Sequence, residues 1–410
     1  MAGTASRRVF RLATVFSVAL VQLALQPFQA AAATDTGTLF GMNGTAVYRI
    51  DTTTGALTAF AALPPPPPTQ FLPSFNGLAS DPIGHRLFTV RSSASLDFST
   101  QFYDLITIDT QSAAVSVGPD MPRGAPELAY DSSTKALFGV TNFCCPFQLV
   151  RIDPVTGLQT HIADLPGVQE SNMALAPSKH AIYMSSESFI LGQFQPVVSV
   201  IAVDESTGAI TTSPALATGV SQLAFDTSTG TLFAKSFCCP SVLLTVDPVT
   251  GAETTASTTD LGLGSGFAMD SASHNIYMTQ DVFNAFGFFQ LLQWINDQSG
   301  TVSVGSTQFP PGVFLQYLAF EGVAITPDSI KADVNSAAAS GAIDNAGLAT
   351  ALIAQLNAAA AARTNGQCTT AANIYSAFIN TVTAQRGTHV SAATAAQLVS
   401  EAQFLIANCP

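Results

Sequence analysis

The chain has 410 residues, of which 47% are hydrophobic and only 10% are charged, whereas about a quarter of the residues in an average domain are charged. A chain of this length is too long for one ordinary domain unless that domain is built from repeats. The formal net charge of -13 argues against nucleic acid as a partner, because phosphate binding needs a basic surface, and it identifies no other ligand.

The N-terminus has the three parts of a secretory signal peptide. A positively charged segment precedes the apolar stretch ATVFSVALVQLAL (13–25), and small residues at 30–33 offer a cleavage site. This stretch is too short for a membrane anchor, because a spanning helix needs about 20 apolar residues. We therefore expect residues 1–33 to be removed, which leaves a secreted or periplasmic chain without a membrane span. The positive charges belong to Arg7, Arg8 and Arg11.

The segment Ser6-Arg7-Arg8-Val9-Phe10 resembles the twin-arginine export motif. The resemblance implies export of a protein that is already folded. Arginine pairs are also common in ordinary signal peptides, so general secretion is the alternative route.

A repeat of hydrophobic residue pairs follows the predicted signal peptide. Each pair, such as Leu-Phe or Ile-Tyr, opens an apolar strand, and consecutive pairs are 44 to 50 residues apart. This spacing is typical of a four-stranded propeller blade. The pairs begin at Leu39, Leu87, Leu137, Ile182, Leu232 and Ile276.

Turn residues keep the same register as the pairs. A strand that ends in an acidic residue precedes most pairs, and the position of this residue suits turn capping. A turn such as DPVTG (153–157) comes later in the unit and is followed by a strand of alternating character, as at 158–162. Each unit therefore predicts four strands, a to d. The acidic residues that end strand a are Asp81, Asp131, Asp226, Asp270 and Glu321.

The first unit lacks its own strand a, because the predicted signal peptide ends just before it. The segment 318–321 (LAFE) resembles a strand a, yet no pair follows it. We therefore expect 316–321 to pair with 36–41, so that the ring closes and free sheet edges are removed. The predicted fold is mainly β: a six-bladed β-propeller over 34–325, followed by a small four-helix domain over 326–410.

A longer period of two units is also present. The segments FCCP at 143–146 and 237–240 are 94 residues apart, and histidines stand two positions before the pair in the even units only. The propeller is therefore interpreted as three copies of a two-blade unit. The histidines are His85, His180 and His274.

The proline run 64–68 lies between the first and second units. Its polyproline conformation predicts a stiff connector. A proline-rich ligand for a partner protein is the alternative.

The C-terminal region is rich in alanine and has helical periodicity. Asp328 and Ser391 are predicted N-caps, and Gly387 is expected to end the third helix. The segments AGLATALIAQLN (346–357), AFINTVTAQRG (377–387) and AAQLV (395–399) resemble the FIMAH domain, a helical module of many secreted bacterial proteins. The resemblance implies an accessory role without a defined chemistry. The predicted helices lie near 328–341, 344–362, 368–385 and 391–407.

Six cysteines in an exported chain favour disulfides. Cys368 opens the predicted third helix and Cys409 follows the fourth, so antiparallel packing would bring the two together. Two pairs of adjacent cysteines lie in predicted b–c loops and are expected to form vicinal disulfides. Bridges between the two loops, a four-thiolate metal site and free thiols are the alternatives. The adjacent pairs are Cys144 with Cys145 and Cys238 with Cys239.

Aromatic residues are frequent in the predicted b–c loops, where turns normally carry polar residues. One hypothesis is an apolar binding face at the mouth of the ring; the alternative is that these rings pack between blades. The candidate ligand-binding residues are Phe98, Tyr103, Phe143, Phe147, Phe189, Phe237, Phe283 and Phe286.

The remaining polar patterns favour structural roles. The three histidines belong to a–b turns on the opposite face and are interpreted as solvated, and the repeated acids are interpreted as turn caps rather than a cation ring. Catalytic motifs such as Gly-x-Ser-x-Gly or His-Glu-x-x-His do not occur. No metal or cofactor is assigned, and no catalytic residue is identified.

Two functions follow from these patterns. The favoured hypothesis is a non-catalytic exported scaffold that binds an extracellular protein or carbohydrate through its b–c loops. The alternative is a cation-dependent hydrolase or lactonase with its site in the central channel, for which Glu127 and Glu170 are candidate carboxylates. A quinone-linked or electron-transfer role is a third hypothesis, suggested by resemblance to proteins with vicinal cysteines.

Overall fold

The computed structural model describes residues 37–141, 146–168, 173–188, 197–237, 239–284, 287–322 and 325–407. Within these residues the chain forms six four-stranded antiparallel sheets, followed by four helices. The predicted signal peptide lies outside the described residues.

Each sheet is one blade, and its strands follow one another in the order a, b, c, d. Blades 1 and 2 consist of β24 (Tyr317–Gly322), β1 (Gly37–Met42), β2 (Ala46–Ile50), β3 (Leu57–Ala62), and of β4 (Gln70–Asp81), β5 (Arg86–Ser95), β6 (Gln101–Asp109), β7 (Val115–Asp120). Blades 3 and 4 consist of β8 (Glu127–Asp131), β9 (Ala136–Val140), β10 (Phe147–Ile152), β11 (Gln159–Leu165), and of β12 (Ala174–Ala176), β13 (Ala181–Ser188), β14 (Val197–Asp204), β15 (Ile210–Thr212). Blades 5 and 6 consist of β16 (Val220–Asp226), β17 (Thr231–Ser236), β18 (Leu243–Val246), β19 (Glu253–Ser257), and of β20 (Phe267–Asp270), β21 (Asn275–Asn284), β22 (Gly287–Asn296), β23 (Val302–Gln308).

The first and last strands of the propeller close the ring as the sequence predicts. β24 supplies strand a of blade 1 and pairs antiparallel with β1, with Leu39 opposite Phe320 and Gly41 opposite Leu318. The last β-strand of the propeller region is therefore part of the first blade. The facing edges of β24 and β1 hydrogen-bond to each other and are not left open.

The repeated hydrophobic pairs lie on strand b, and each pair joins two different blade interfaces. Successive residues of a strand point to opposite faces of the sheet. Leu87 therefore packs in the core between blades 1 and 2, whereas Phe88 packs in the core between blades 2 and 3. The same holds for Ile276 and Tyr277, which face blades 5 and 1 respectively. The repeat thus encodes the contact of each blade with both of its neighbours.

The repeated turns are held by side-chain hydrogen bonds to the backbone. Asp153 Oδ1 accepts hydrogen bonds from the amides of Val155 (2.8 Å) and Thr156 (2.9 Å), and Gly157 completes the turn at a φ of +67°. The acid at the end of strand a acts similarly, since Asp131 accepts from Ser133 N at 2.7 Å. The prediction of turn caps is confirmed for Asp81, Asp131, Asp226 and Asp270. Glu321 differs, because it accepts a hydrogen bond from the Thr110 hydroxyl of blade 2.

Arg91 holds the proline connector between blades 1 and 2. Its Nη1 donates to the carbonyl oxygens of Pro64 and Pro65, at 3.3 and 2.7 Å. Its Nε and Nη2 both donate to Asp104, at 2.9 and 2.7 Å, and both side chains are buried. Polyproline backbone has no internal hydrogen bonds, so its carbonyl groups are open to a buried guanidinium.

The C-terminal region consists of four helices with a core of their own. They are α1 (Pro327–Ala339), α2 (Ala346–Thr364), α3 (Cys368–Gln385) and α4 (Ala392–Ala407), and their buried side chains include Leu352, Tyr375 and Phe378. All four predicted helices are therefore present. Among the residues that the structure describes, no helix combines the length and apolarity that a membrane crossing would require.

The N-cap of the first helix differs from the prediction. Thr326, rather than Asp328, caps α1: its Oγ1 accepts from Ser329 N at 3.0 Å, and Ser329 Oγ accepts from Thr326 N at 2.9 Å. Such a reciprocal pair satisfies two free amides at once, whereas Asp328 lies inside the first turn. Ser391 caps α4 as predicted, since its hydroxyl accepts from Thr394 N.

Two neighbouring carboxyl groups, the buried Glu401 and the half-buried Asp333, join the last and first helices. Glu401 of α4 is buried; one of its oxygens accepts from Gln397 Nε2 at 2.9 Å, and the other has no hydrogen-bond partner. Burial, reinforced by the neighbouring Asp333 of α1, raises the pKa of Glu401 to about 8.

Removal of Arg91 should destabilise the propeller. In Arg91→Ala the carboxylate of Asp104 remains buried without its cation, which typically costs about 3–5 kcal/mol, and the proline connector loses its anchor. Chemical unfolding of the full chain measures this loss. The control is Arg151→Ala at an exposed position of β10, where the change should stay within about 0.5 kcal/mol. Equal effects of the two variants would contradict the assigned role of Arg91.

The stability of the helical region should fall as pH rises from about 4.5 to about 8. The folded state keeps a proton on Glu401 in this range while the unfolded state releases it, so the unfolded state binds fewer protons and is favoured by rising pH. Thermal unfolding followed by the helical circular dichroism signal measures the slope. Glu401→Gln should flatten it, whereas Asp328→Asn, on the exposed surface of α1, should leave it unchanged.

Candidate functional site

The blades have two dissimilar ends. Because the strands are antiparallel and ordered a to d, the b–c loops and the d–a connections lie at one end of the ring, here called the loop face. The a–b and c–d turns lie at the other end, here called the turn face. The predicted aromatic candidates belong to the loop face and the repeated histidines to the turn face.

Blades 2 and 6 have long b–c hairpins at the loop face. β5 and β6 span 10 and 9 residues, and β21 and β22 span 10 residues each. The equivalent strands β9 and β10 of blade 3 span 5 and 6 residues. Since blade 1 lies between blades 2 and 6 in the ring and has the short b–c connection 43–45, the two hairpins stand on either side of it.

The structure brings some of the predicted aromatic residues into two exposed groups. Phe98, at the tip of the blade 2 hairpin, is 64% exposed and meets Phe71 edge-on at 4.5 Å between ring centroids. Phe283, on the blade 6 hairpin, is 71% exposed and lies 4.5 Å from Phe288, which stacks on Phe314 at 4.6 Å. Phe71, Phe288 and Phe314 are therefore members of these groups that the sequence analysis did not select.

The other aromatic candidates do not join these groups. Phe237 lies in blade 5, and its ring packs so closely on Gly219 that a Cβ there would collide with it. Phe147 is half-buried against the core between blades 3 and 4, as the alternative interpretation expected. Tyr103 is half-buried beside the core between blades 2 and 3. Phe143, Phe189 and Phe286 lie outside the described residues.

Tyr103 lines a small polar cavity of about 190 Å³ on the loop face. Ser74 and Ser92 share a hydrogen bond of 2.6 Å between their hydroxyl groups, and Asn76 Nδ2 donates to both at 3.2 Å. The backbone of 124–126 closes the cavity on the blade 3 side. The sequence analysis missed these polar residues; the available signal was that strand a of blade 2 carries serine and asparagine ahead of its repeated apolar positions.

The central channel is lined by the six a strands and encloses about 240 Å³. Most residues along it are apolar in type, such as Leu128, Phe225 and Leu318, although polar atoms form the larger part of the exposed wall. Of the described lining residues, only Glu127 carries a carboxylate, whereas Ca²⁺ takes six to eight oxygen ligands. The channel therefore offers little support to the hydrolase hypothesis, and Glu170 lies outside the described residues.

The three histidines of the turn face occupy equivalent positions between blades. His85, His180 and His274 all adopt the left-handed conformation, with φ of 51°, 49° and 58°. The Nδ1 atom of each faces a carboxylate. The partners are Glu321 at 3.5 Å for His85, Glu205 at 2.9 Å for His180 and Asp226 at 3.2 Å for His274.

The expectation of solvated histidines is wrong for His274, whose side chain is only 22% exposed. Its Nδ1 lies 3.2 Å from Asp226 Oδ2 and 3.5 Å from Asp297 Oδ1. Within the described part of the chain, this is the only group of three metal-ligating residue types whose ligand atoms all lie within 4.8 Å of one another. No metal site was predicted from the sequence, and Asp297 was not among the candidate residues.

The pKa values of the two carboxyl groups in this cluster are shifted in opposite directions. Burial and the neighbouring Asp226 raise the pKa of Asp297 to about 7. Burial also acts to raise the pKa of Asp226, but hydrogen bonds from His274, Ser228 and Thr229 outweigh it and keep this pKa well below its usual range. The hydrogen bond to Asp226 in turn raises the pKa of His274.

Two of the cysteines can be described. Cys239 and Cys368 are each disulfide-bonded, and Cys368 opens α3 as predicted. Their expected partners Cys238 and Cys409, together with the pair 144–145, lie outside the described residues. The three proposed pairings therefore remain predictions.

Solved structures share the propeller fold at low identity. A chain from the crystal structure of the nidogen/laminin complex is 12% identical with a TM-score of 0.50, over 70% of this chain and 98% of that one. TolB from Acinetobacter baumannii is 10% identical with a TM-score of 0.50, over 70% of this chain and 67% of that one. At these identities the likeness shows the fold alone. No curated protein sequence matches the chain.

The helical region has a more specific match. The FIMAH domain family matches residues 327–407, which span the four helices and their separate core. The chain thus combines a six-bladed β-propeller with a C-terminal FIMAH domain.

Proposed function

We propose that the protein is an exported scaffold that binds an extracellular carbohydrate through the loop face of its propeller. The observation that carries this proposal is the polar cavity of blade 2, where two serine hydroxyls, one asparagine amide and one tyrosine converge. Ligand sites commonly combine a concave surface with a few placed polar groups.

The chemistry of the cavity matches that of a sugar ring. The hydroxyls of Ser74 and Ser92 can each donate and accept, and Asn76 holds them in place through its amide Nδ2. The cavity encloses about 190 Å³. No charged side chain lines the cavity among the described residues, which favours a neutral polyhydroxyl ligand over an ion.

Exposed aromatic rings lie close enough to extend the cavity into a longer site. Ser92 pairs with Tyr103 across the hairpin, and Phe71 pairs with Ala94, two residues farther along β5. Two strand residues span about 7 Å. The rings of Phe71 and Phe98 therefore offer an apolar surface for the C–H face of a second sugar unit.

The rest of the chain suits such a role outside the cell. Residues 1–33 have the pattern of a cleaved signal peptide, and the bonded cysteines Cys239 and Cys368 fit an oxidising compartment. Only 10% of the residues are charged, so we expect Ser and Thr to provide much of the polar surface. The FIMAH domain then serves as an accessory module to the binding propeller.

Binding of a protein is the second candidate, and the aromatic group of blade 6 favours it. Phe283 and Phe288 of the hairpin are 71% and 38% exposed, and Phe314 from the following connection stacks on Phe288. Aromatic residues are enriched at protein interfaces, and exposed apolar groups of this kind commonly mark contact sites. The two candidates use different blades and can therefore be separated by mutation.

Glycan binding tests the proposal. The full mature chain is applied to a glycan array, and the affinity for a bound oligosaccharide is measured by calorimetry. Ser74→Ala and Tyr103→Phe each remove one hydroxyl group, so each should weaken binding about two- to tenfold, the equivalent of roughly 0.5–1.5 kcal/mol per hydrogen bond. Both changes conserve the fold, because neither introduces bulk or charge.

Phe283→Ser on blade 6 is the matched control and should leave the glycan affinity unchanged. If no glycan binds, or if the blade 2 variants bind as tightly as the wild type, the carbohydrate proposal fails. A protein partner whose binding is lost in Phe283→Ser but kept in Tyr103→Phe would establish the second candidate instead.

A further inference from the structure

The junction of blades 5 and 6 on the turn face combines three residues that the binding proposal does not use. Asp226 ends β16 of blade 5, His274 lies in the a–b turn of blade 6, and Asp297 follows β22 in the c–d turn of the same blade. We propose that Asp226, His274 and Asp297 form a binding site for a divalent transition-metal ion of the Zn²⁺ type, which links the two blades.

Asp297 is the strongest evidence for a missing ligand. Its side chain is only 1% exposed, and neither carboxylate oxygen has a hydrogen-bond partner. An unpaired charge is strongly unfavourable when buried, and buried charges are found paired or bound to metals. The nearest positive partner of Asp297 is His274, whose Nδ1 lies 3.5 Å from Oδ1, beyond a hydrogen bond. A metal ion bound by both side chains, or a proton on Asp297, would satisfy this carboxylate.

The neighbouring Asp226 cannot neutralise the Asp297 carboxylate. Its oxygens accept hydrogen bonds from Ser228 N, Ser228 Oγ and Thr229 Oγ1, at 2.7–2.8 Å, so it is held in place and stays ionised. Two carboxylates within 4.8 Å of each other repel one another in a buried site. A cation between them would remove this repulsion and satisfy Asp297 at once.

The distances suit a tetrahedral metal ion. Zn²⁺ binds nitrogen and oxygen ligands at about 2.0–2.2 Å, and two ligands of such a tetrahedron are about 3.4 Å apart. The observed separations from His274 Nδ1 are 3.2 Å to Asp226 Oδ2 and 3.5 Å to Asp297 Oδ1. One imidazole with two carboxylates leaves a fourth position for solvent, and the imidazole favours Zn²⁺ over the all-oxygen ligand sets of Ca²⁺ and Mg²⁺.

Gln298 can hold the tautomer of His274 that a metal needs. Its amide nitrogen lies 2.9 Å from His274 Nε2, and oxygen and nitrogen of an amide group exchange places by a simple rotation. With the amide oxygen at this position, Nε2 carries the proton and the lone pair of Nδ1 points towards the two carboxylates. Metal-bound histidines usually donate their second N–H in this way.

The His85 junction provides an internal comparison. The backbone amides of Thr110, Glu205 and Asp297 each donate to the carbonyl of the adjacent histidine, at 2.9, 3.0 and 2.8 Å, so the three residues are equivalent. Between blades 1 and 2 this residue is Thr110, whose hydroxyl donates to Glu321 at 2.7 Å. That junction has one carboxylate, already satisfied, and should bind no metal.

Zinc titration of the full mature chain tests the site. After removal of metal with a chelator, Zn²⁺ is added in competition with a chromophoric indicator, and the thermal shift is recorded with and without the ion. The wild type should bind one competing Zn²⁺ per chain and gain thermal stability. Because loss of a residue that merely orients a metal ligand costs about 10- to 100-fold in affinity, Asp297→Asn should weaken binding at least about 100-fold. Gln298→Leu should weaken it about tenfold.

Two controls make the result decisive. Asp297→Asn replaces a buried carboxylate that has no hydrogen-bond donor, so the metal-free variant should be about as stable as the wild type. Its thermal unfolding without Zn²⁺ checks that any loss of binding does not come from unfolding. His85→Gln changes the equivalent turn between blades 1 and 2 and should keep the full zinc affinity. The proposal is overturned if the wild type shows no competing Zn²⁺, if Asp297→Asn binds as tightly, or if a proton alone satisfies the cluster, seen as stability that changes with pH but not with Zn²⁺.

Discussion

The pairing of β24 with β1 is the constraint on which the propeller depends. The segment that supplies strand a of blade 1 is about 280 residues away in sequence from the strand with which it pairs. Without this pairing, the cores between blades 6 and 1 and between blades 1 and 2 would lose Leu318 and Ala319, which face opposite sides of β24. A closed ring gives every blade two neighbours, so both faces of each sheet are covered.

The closed ring also explains where the blades differ from one another. The hydrophobic pairs on strand b and the capped turns are constrained by two interfaces each, whereas the loops between strands are constrained only at their ends. Blades 2 and 6 extend their hairpins without altering the positions of Phe88 or Tyr277, which remain buried. The asymmetry that creates the polar cavity is therefore added to a scaffold of nearly equivalent blades.

Most features that depend on residues close together in sequence were predicted, whereas the polar cavity, which depends on contacts between distant residues, was missed. Blades and helices were predicted because their patterns are local and repeated: Leu137 and Phe138 point to opposite faces in any strand, and Ser391 bonds an amide three residues ahead. The cap at Thr326 was missed because Asp328 is an equally good capping residue by type alone. The polar cavity joins Ser74, Ser92 and Tyr103 with a connection of the next blade, and only the register of three strands brings them together.

The turn face shows how a repeat conceals a specialised position. Thr110, Glu205 and Asp297 occupy one structural position in three blade junctions. They are three different residues, a hydroxyl and two acids of different length, so a search for one recurring residue passes over them. The repeated histidine holds the position in place through its carbonyl group, while the variable residue decides whether the junction contains one carboxylate or two. In a repeat protein, the residues that recur in every unit therefore indicate the fold. A residue that differs from its equivalents in the other units indicates where the chemistry can differ.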